Sequence, residues 1–179
     1  MNYTVIKSDK IFSGKVFDIK VDEIEYDSGI GGRREVVIHP GGAVALPLTD
    51  EGKIIMVKQF RYPFQQRVLE LPAGKLDEGE DPQICAVREL EEETGYKSGK
   101  VRKLGAIYTS PGFCSEILHI YLVEDLTKGK HNREEGEVDM EVLELSLEEI
   151  EEKIVTGEIV DSKTICGIHY YRLFREGKY

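Results

Sequence analysis

The chain has 179 residues, a formal net charge of −10 and 40% hydrophobic residues. This composition is that of a folded protein, and no apolar run approaches the roughly 20 residues that cross a bilayer. The negative charge argues against non-specific binding to nucleic acid, which needs Lys and Arg to displace counterions. Three cysteines without metal-type spacing, and a start that lacks a secretory pattern, predict a cytoplasmic protein.

The first forty residues predict a small antiparallel sheet. Apolar and polar side chains alternate through residues 15–26, as expected of a strand. The turn sequence DSGIGG follows, and RREVVIHP resumes the alternation, so that the two runs form a hairpin. We therefore expect residues 1–40 to form a sheet distinct from a main domain over residues 41–179.

The main domain begins with short apolar runs that are mostly joined by hairpins. GAVALPL and KIIMVKQF flank the turn TDEG, and RVLELPAG is a further strand. After an acidic helix come the strands VRKLGAIYTS, EILHIYLVED and EVLELS, and two helices over residues 146–158 and 161–177. Strands linked mostly by hairpins, with helices after them, predict the α+β class.

An acidic helix lies at the centre of the sequence. Asp81 is a suitable N-cap, Pro82 suits the first helical position, and Gly95 is placed to end the helix. At about 100° per residue, two faces are expected. The face predicted to pack on a sheet consists of Ile84, Val87, Leu90 and Thr94. The opposite face brings together Glu89, Glu92 and Glu93.

The residues alone leave two interpretations of this carboxylate cluster. It is either a solvated acidic face, which is what a run of charge usually means, or a site for a hard divalent cation such as Mg2+ or Mn2+. Arg88 lies inside the cluster, where its charge could orient a glutamate and relieve repulsion.

The spacing resembles the signature of the Nudix hydrolase family. That signature is Gly, five residues, Glu, seven residues, Arg-Glu, an apolar residue, any residue, Glu-Glu, any residue, Gly and a final aliphatic. The matching residues are Gly74, Glu80, Arg88, Glu89, Leu90, Glu92, Glu93, Gly95 and Tyr96. Tyr96 departs from the usual aliphatic at a position that packs rather than reacts. The resemblance implies an α/β/α sandwich with a mixed sheet, which hydrolyses a nucleoside diphosphate linked to another group.

The same resemblance implies which residues hold the metal. Glu89 and Glu93 are the expected ligands, commonly with Glu92 and the carbonyl oxygen of Ala73. Glu80 and Arg88 are expected to be supporting residues, and Arg88 and Glu92 are expected to take part in catalysis.

Other stretches resemble bacterial ADP-ribose pyrophosphatases. Pro111 lies fifteen residues beyond Tyr96, an offset similar to that of this subfamily, and VKQFRYP, LELPAGKLDEGE and FSGKVFDIKVDEIE are similar too. The resemblance implies Mg2+-dependent cleavage of ADP-ribose into AMP and ribose 5-phosphate. It also implies a homodimer with the N-terminal sheet near the two-fold axis.

Further substrate and catalytic residues follow from this resemblance. Arg61 is expected to bind a phosphate, and Arg34 or its neighbour Arg33 to reach a dimer-related site. The terminal ribose is expected to contact Pro111, Gly112 and Glu116. The general base is expected in residues 131–142, at Glu137 by preference and otherwise at Glu135. The platform for adenine stays open among Phe17, Tyr26, Tyr62 and Phe64.

The sequence leaves three alternatives open. The substrate could be another nucleoside diphosphate sugar or a dinucleotide. The chain could instead be a Nudix domain that binds a nucleotide without cleaving it. Such domains usually lack the glutamates of the signature segment, residues 74–96, which is called the Nudix box. An acidic module for Ca2+ or a basic partner would leave Arg61 and the Pro111 loop without a purpose.

Overall fold

The protein is described by a computed structural model that covers residues 2–133 and 139–178. The described residues form twelve strands and three α-helices, with a short 3₁₀ turn at Tyr62–Phe64. The strands are β1 (Tyr3–Ser13), β2 (Asp18–Tyr26), β3 (Gly31–Ile38), β4 (Gly42–Pro47), β5 (Ile54–Arg61), β6 (Gln66–Glu70), β7 (Ala73–Lys75), β8 (Tyr96–Lys97), β9 (Lys100–Tyr108), β10 (Ile117–Glu124), β11 (Thr127–Lys128) and β12 (Glu141–Leu145). The helices are α1 (Pro82–Thr94), α2 (Leu147–Val155) and α3 (Ser162–Arg175).

The chain divides into two compact units. The first comprises Met1–Gly41 and Tyr108–Ile117, and the second comprises Gly42–Ile107 and Leu118–Tyr179. The first unit contains the antiparallel sheet β1-β2-β3. The hairpin of β2 and β3 follows the predicted turn, whereas β1 precedes it and was not predicted from the sequence. Every side chain of β1 is exposed, so its sequence carries no pattern of burial.

The loop around Pro111 belongs to the first unit because it pairs with the end of β3. The Val37 N–H donates to the carbonyl of Phe113 at 2.8 Å, and the Ser115 N–H donates to the carbonyl of Val37 at 2.9 Å. The hydroxyl of Ser115 accepts from the N–H of His39 at 2.9 Å. These bonds join segments that are more than seventy residues apart in the sequence. A domain boundary placed at a single point in the sequence therefore cannot separate the two units.

The second unit is built around a mixed sheet in the order β7-β4-β10-β9. Strand β4 runs parallel to β10 and antiparallel to β7. A second sheet, β12-β5-β6, is antiparallel, and β8 pairs with β11.

Strand β4 shows how helices cover both faces of the mixed sheet. Its side chains alternate, so that Ala43 and Ala45 belong to one buried cluster and Val44 and Leu46 to another. The first cluster includes residues of α1, namely Cys85, Ala86 and Leu90. The second includes residues of α2 and α3, namely Leu147, Ile150, Ile168 and Tyr171. This arrangement confirms the predicted α+β class and the α/β/α sandwich.

The two C-terminal helices begin where the sequence predicts. Ser146 accepts from the N–H of Glu149, whose carboxylate accepts from the N–H of Ser146, and together these bonds form a capping box. Asp161 caps α3 by accepting from the N–H of Thr164 at 3.0 Å. None of the helices in the described part of the chain has both the length and the apolar character that spanning a membrane requires.

Candidate active site

Helix α1 has the predicted caps. The Asp81 carboxylate accepts from the N–H groups of Gln83 and Ile84, and Pro82 occupies the first position. Gly95 ends the helix with a φ of 80°, a conformation that favours glycine, and its N–H donates to the carbonyl of Glu91. The caps therefore fix the length of the helix that carries the carboxylates.

The orientation of α1 differs from the prediction. Ile84, which was expected on the sheet, is 62% exposed, whereas Glu93, which was expected on the open face, is 1% exposed. The buried residues are Cys85, Ala86, Leu90, Glu93 and Thr94, so the prediction is confirmed for Leu90 and Thr94. The small side chains of Cys85 and Ala86 allow the helix to approach the sheet on that side. A helical wheel that shows only hydrophobicity does not reveal this effect of side-chain size.

Glu89 packs directly against Gly74 on β7. A Cβ atom added at Gly74 would lie 1.8 Å from Cδ of Glu89 and 1.9 Å from its Oε1, far inside van der Waals contact. The carboxylate thus occupies the space that any larger residue at position 74 would fill. The first glycine of the box is required by this contact.

Glu93 lies against the neighbouring residue of the same strand. The Ala73 N–H donates to Oε2 of Glu93 at 3.3 Å. At the same end of the helix, Arg133 donates to the carbonyls of Glu93 and Met140 at 2.8 and 2.6 Å. The C-terminal end of α1 is thereby tied both to β7 and to the segments on either side of residues 134–138.

Arg88 is surrounded by carboxylates. Its guanidinium makes a two-pronged pair with Glu80, with both distances 2.9 Å, and donates to Glu89 at 2.7 Å and to Glu92 at 3.0 Å. The hydrogen bonds with Arg88 lower the pKa of Glu80 to about 2, and the bond with Glu80 is the main cause that raises the pKa of Arg88. Arg88 therefore balances the cluster, as the sequence predicts.

The donor set of this cluster fits a hard divalent cation. Glu89, Glu92, Glu93 and the carbonyl of Ala73 would supply only oxygen, which Mg2+ and Mn2+ prefer. In the described part of the chain, no three acidic, histidine or cysteine side chains are gathered closely enough to hold an ion as they stand. Two of these glutamates are instead held by Arg88.

Arg61 is held by Glu70, a carboxylate to which no motif in the sequence points. Its Nε and Nη2 donate to Oε1 and Oε2 of Glu70, both at 2.8 Å. Burial opposes the charge on Arg61, but the bonds with Glu70 and the charges of Glu70, Glu93 and Asp161 raise its pKa overall. Lys163 also donates to Glu70. Glu70 is the last residue of β6, and the local sequence contains no signal for its partners.

Arg34 lies in the first compact unit. Its Nη2 donates to the hydroxyl of Tyr26 and its Nη1 to the carbonyl of Arg33 at 2.8 Å, and its guanidinium lies 5.9 Å from the centre of the Tyr26 ring. Arg33 is exposed and forms a 3.3 Å ion pair with Glu35.

The residues expected at the terminal ribose also lie in the first unit. Pro111 and Gly112 are exposed, and a Cβ at Gly112 would meet no atom within 4 Å. The carboxylate of Glu116 is 3.4 Å from Nδ1 of His39. The Gly41 N–H donates to the same nitrogen at 3.0 Å, so that Nδ1 acts as an acceptor. The predicted bases, Glu135 and Glu137, lie outside the described residues.

The fold and the box together define a class of protein. An α/β/α sandwich with an acidic helix packed on β7 through Gly74 is the arrangement expected of a Nudix hydrolase. The NUDIX domain model matches residues 39–163. The chain therefore belongs to the Nudix family, whose pyrophosphatases generally need a divalent metal ion.

Relatives cover nearly the whole chain. A protein of Bacillus subtilis (strain 168) described as an ADP-ribose pyrophosphatase is 48% identical over 169 residues, which are 94% of this chain and 91% of that protein. A protein of Escherichia coli O157:H7 described as a GDP-mannose pyrophosphatase is 36% identical over an alignment of 185 positions that covers 95% of each chain.

A solved structure supports the fold. A protein whose crystal structure is described as that of an ADP compounds hydrolase superimposes with a TM-score of 0.87 and covers 99% of this chain and 96% of its own. At 16% identity this similarity concerns the fold alone.

Tyr96, the departure from the signature, is 9% exposed and donates to Glu144 at 2.8 Å, so it packs as expected.

Proposed function

We propose that the protein hydrolyses the pyrophosphate bond of ADP-ribose to give AMP and ribose 5-phosphate, with Mg2+ as its metal ion. The observation that carries the proposal is the 48% identity to an ADP-ribose pyrophosphatase over nearly the full length. An intact box supports it, because Glu89 and Glu93 lie against β7 and Arg88 joins the remaining acids.

Carboxylates of α1 would hold the metal. Glu89, Glu92, Glu93 and the carbonyl of Ala73 are its ligands in this proposal. When bound, Mg2+ neutralises charge on the diphosphate and lowers the pKa of a coordinated water. Arg88 holds Glu89 and Glu92 in place by hydrogen bonds and lowers the pKa of Glu80.

Other residues would bind substrate and move the proton. Arg61 contacts a phosphate, since a guanidinium suits two-pronged binding of anionic oxygen. Glu137, or otherwise Glu135, accepts the proton of the attacking water. The terminal ribose contacts Pro111, Gly112 and Glu116, and Arg34 contributes from the hairpin.

The protein would act in the cytoplasm as a homodimer in which residues 1–40 contribute to the interface and residues 41–179 carry the chemistry. Exposed apolar side chains on β1 support a self-complementary contact. They are Tyr3, Val5, Ile6, Ile11 and Phe12.

A sugar nucleotide is the second candidate substrate, because a relative at 36% identity is described as a GDP-mannose pyrophosphatase. The identity to the ADP-ribose relative is higher, which favours ADP-ribose. A domain that binds without cleaving is disfavoured by the intact glutamates of the box.

The test is a panel of ADP-ribose, GDP-mannose and a dinucleotide with Mg2+, with products separated by chromatography. We expect AMP from ADP-ribose at a kcat/KM well above that of the other two. The Glu93→Gln variant should lose about two or more orders of magnitude in kcat and keep its fold. A higher kcat/KM for GDP-mannose would replace the proposal with the second candidate.

A further inference from the structure

Four charged side chains form a network that links the end of β5, the end of β6 and the start of α3. Glu70 is at its centre and is 1% exposed. Its carboxylate accepts two bonds from Arg61 and another from Nζ of Lys163. Lys163 is buried, and its Nζ lies 3.0 Å from the carboxylate of Asp161.

Stability alone is a poor explanation of this network. Burying charges is unfavourable, and well-packed apolar residues often stabilise a fold as well as a buried ion pair does. A single cation would neutralise the charge of Glu70, yet both Arg61 and Lys163 bind it. The charge of Lys163 is balanced by a second carboxylate, that of Asp161. A second effect of the network is the geometry that it imposes on its most exposed member.

That member is Arg61. Its side chain is 39% exposed, against 1% for Glu70 and 10% for Lys163. Nε and Nη2 donate to Glu70, and within the described residues Nη1 donates no hydrogen bond. The charge of Glu93 also acts on Arg61. A planar guanidinium that is fixed at one edge presents its other edge in a set direction.

The first turn of α3 anchors the other side of the network. Thr164 donates from its hydroxyl to Asp161 at 2.6 Å, and the same oxygen accepts from the N–H of Leu71 at 2.8 Å. Helix α3 therefore binds two successive residues, Glu70 through Lys163 and Leu71 through Thr164. Two residues further along, the Ala73 N–H donates to Glu93.

We infer that Glu70 and Lys163 are positioning residues that aim the Arg61 guanidinium at the diphosphate of the substrate. The start of α3 thereby contributes to substrate binding without touching the substrate. This inference rests on the proposed function in one respect, namely that Arg61 contacts a phosphate.

The kinetic test is a double-mutant cycle. Lys163→Met should raise the KM for ADP-ribose about tenfold with little change in kcat, because uniform binding is lost. An Arg61→Lys background lacks the guanidinium that Glu70 binds through two hydrogen bonds. In that background the same substitution should change KM by less than about twofold. Lys153→Met is the matched control, since Lys153 pairs with Glu158 on the surface of α2. Equal increases in both backgrounds, or none in either, would overturn the inference.

A spectroscopic test needs no substrate. The Nε–Hε NMR signal of Arg61 is assigned by its absence from the spectrum of Arg61→Lys. In the wild-type protein and in Lys153→Met, this hydrogen should be protected from exchange with solvent. It should exchange with solvent about tenfold faster in Lys163→Met and in Glu70→Gln. If Glu70→Gln does not fold, Lys163→Met decides.

The two tests separate the inference from the proposed function. An unchanged Arg61 signal in Lys163→Met overturns the positioning role even in an active enzyme. A wild-type protein that does not cleave ADP-ribose overturns the proposed function, and the NMR signal still decides whether the network positions Arg61.

Discussion

At the scale of single residues, the contact between Gly74 and Glu89 makes the clearest prediction. A methyl group at position 74 would lie 1.8 Å from Cδ of Glu89, so Gly74→Ala must displace a proposed metal ligand. We expect kcat/KM for ADP-ribose to fall by about a hundredfold or more, the loss typical of a misplaced catalytic group. Steady-state kinetics, with circular dichroism to monitor folding, measure this effect.

The matched control is Gly31→Ala. This position has an ordinary φ, and the nearest atom to an added Cβ is the Ile24 carbonyl oxygen at 4.0 Å. Its activity should equal that of the wild-type protein. If Gly74→Ala is equally active, the Glu89 carboxylate is not required where the structure places it.

Glu80 makes a prediction about pH. Its pKa falls from 4.5 to about 2, chiefly through the hydrogen bonds with Arg88. A lowered folded-state pKa means that the stabilisation is complete above pH 4.5 and is lost as the pH falls towards 2. The free energy of unfolding, from urea titrations, should therefore decrease more steeply with acid in the wild-type protein than in Glu80→Gln. A difference between the two proteins that is independent of pH would contradict this assignment.

At the scale of elements, local sequence predicts what local chemistry determines. Asp81, Pro82 and Gly95 fix the bounds of α1, and Ser146 and Asp161 fix the starts of α2 and α3. Strand β1 was missed because exposed side chains leave no burial pattern. The face of α1 was misjudged because the size of Cys85 and Ala86, rather than hydrophobicity, decides how closely the helix packs.

The C-terminal end of α1 provides a prediction at this scale. Gly95 has a φ of 80°, and a Cβ there would lie 2.8 Å from the backbone nitrogen of His131. Gly52 has a φ of 78° with no atom within 4 Å. Gly52→Ala should therefore lower the free energy of unfolding by about 1 kcal/mol through backbone strain alone. Gly95→Ala should lower it by at least about 1 kcal/mol more, because the segment against the helix end must move. Equal losses in urea titrations would exclude the clash.

At the scale of the whole molecule, contacts distant in sequence limit what could be predicted. The signature identifies the box, yet Glu70 and Lys163 are separated by 93 residues and neither has a motif. The pairing of residues 113–115 with β3 likewise depends on hydrogen bonds that no local pattern encodes. The box was predictable because its spacing is local, whereas the support of Arg61 depends on the tertiary fold.

Oligomeric state is the remaining prediction at this scale. Ile6 and Ile11 on β1 are 61% and 62% exposed. Exposed apolar side chains of this size are unfavourable in water, so we expect a second copy of the chain to cover them. We expect a dimer by light scattering, and a monomer for the double variant Ile6→Asp, Ile11→Asp, since two carboxylates cannot be buried there unpaired. Val155→Asp, at an 87% exposed position on α2, is the control and should stay dimeric. A dimer that survives both aspartates would place the interface away from β1, and a wild-type monomer would remove the reason to expect Arg34 at a dimer-related site.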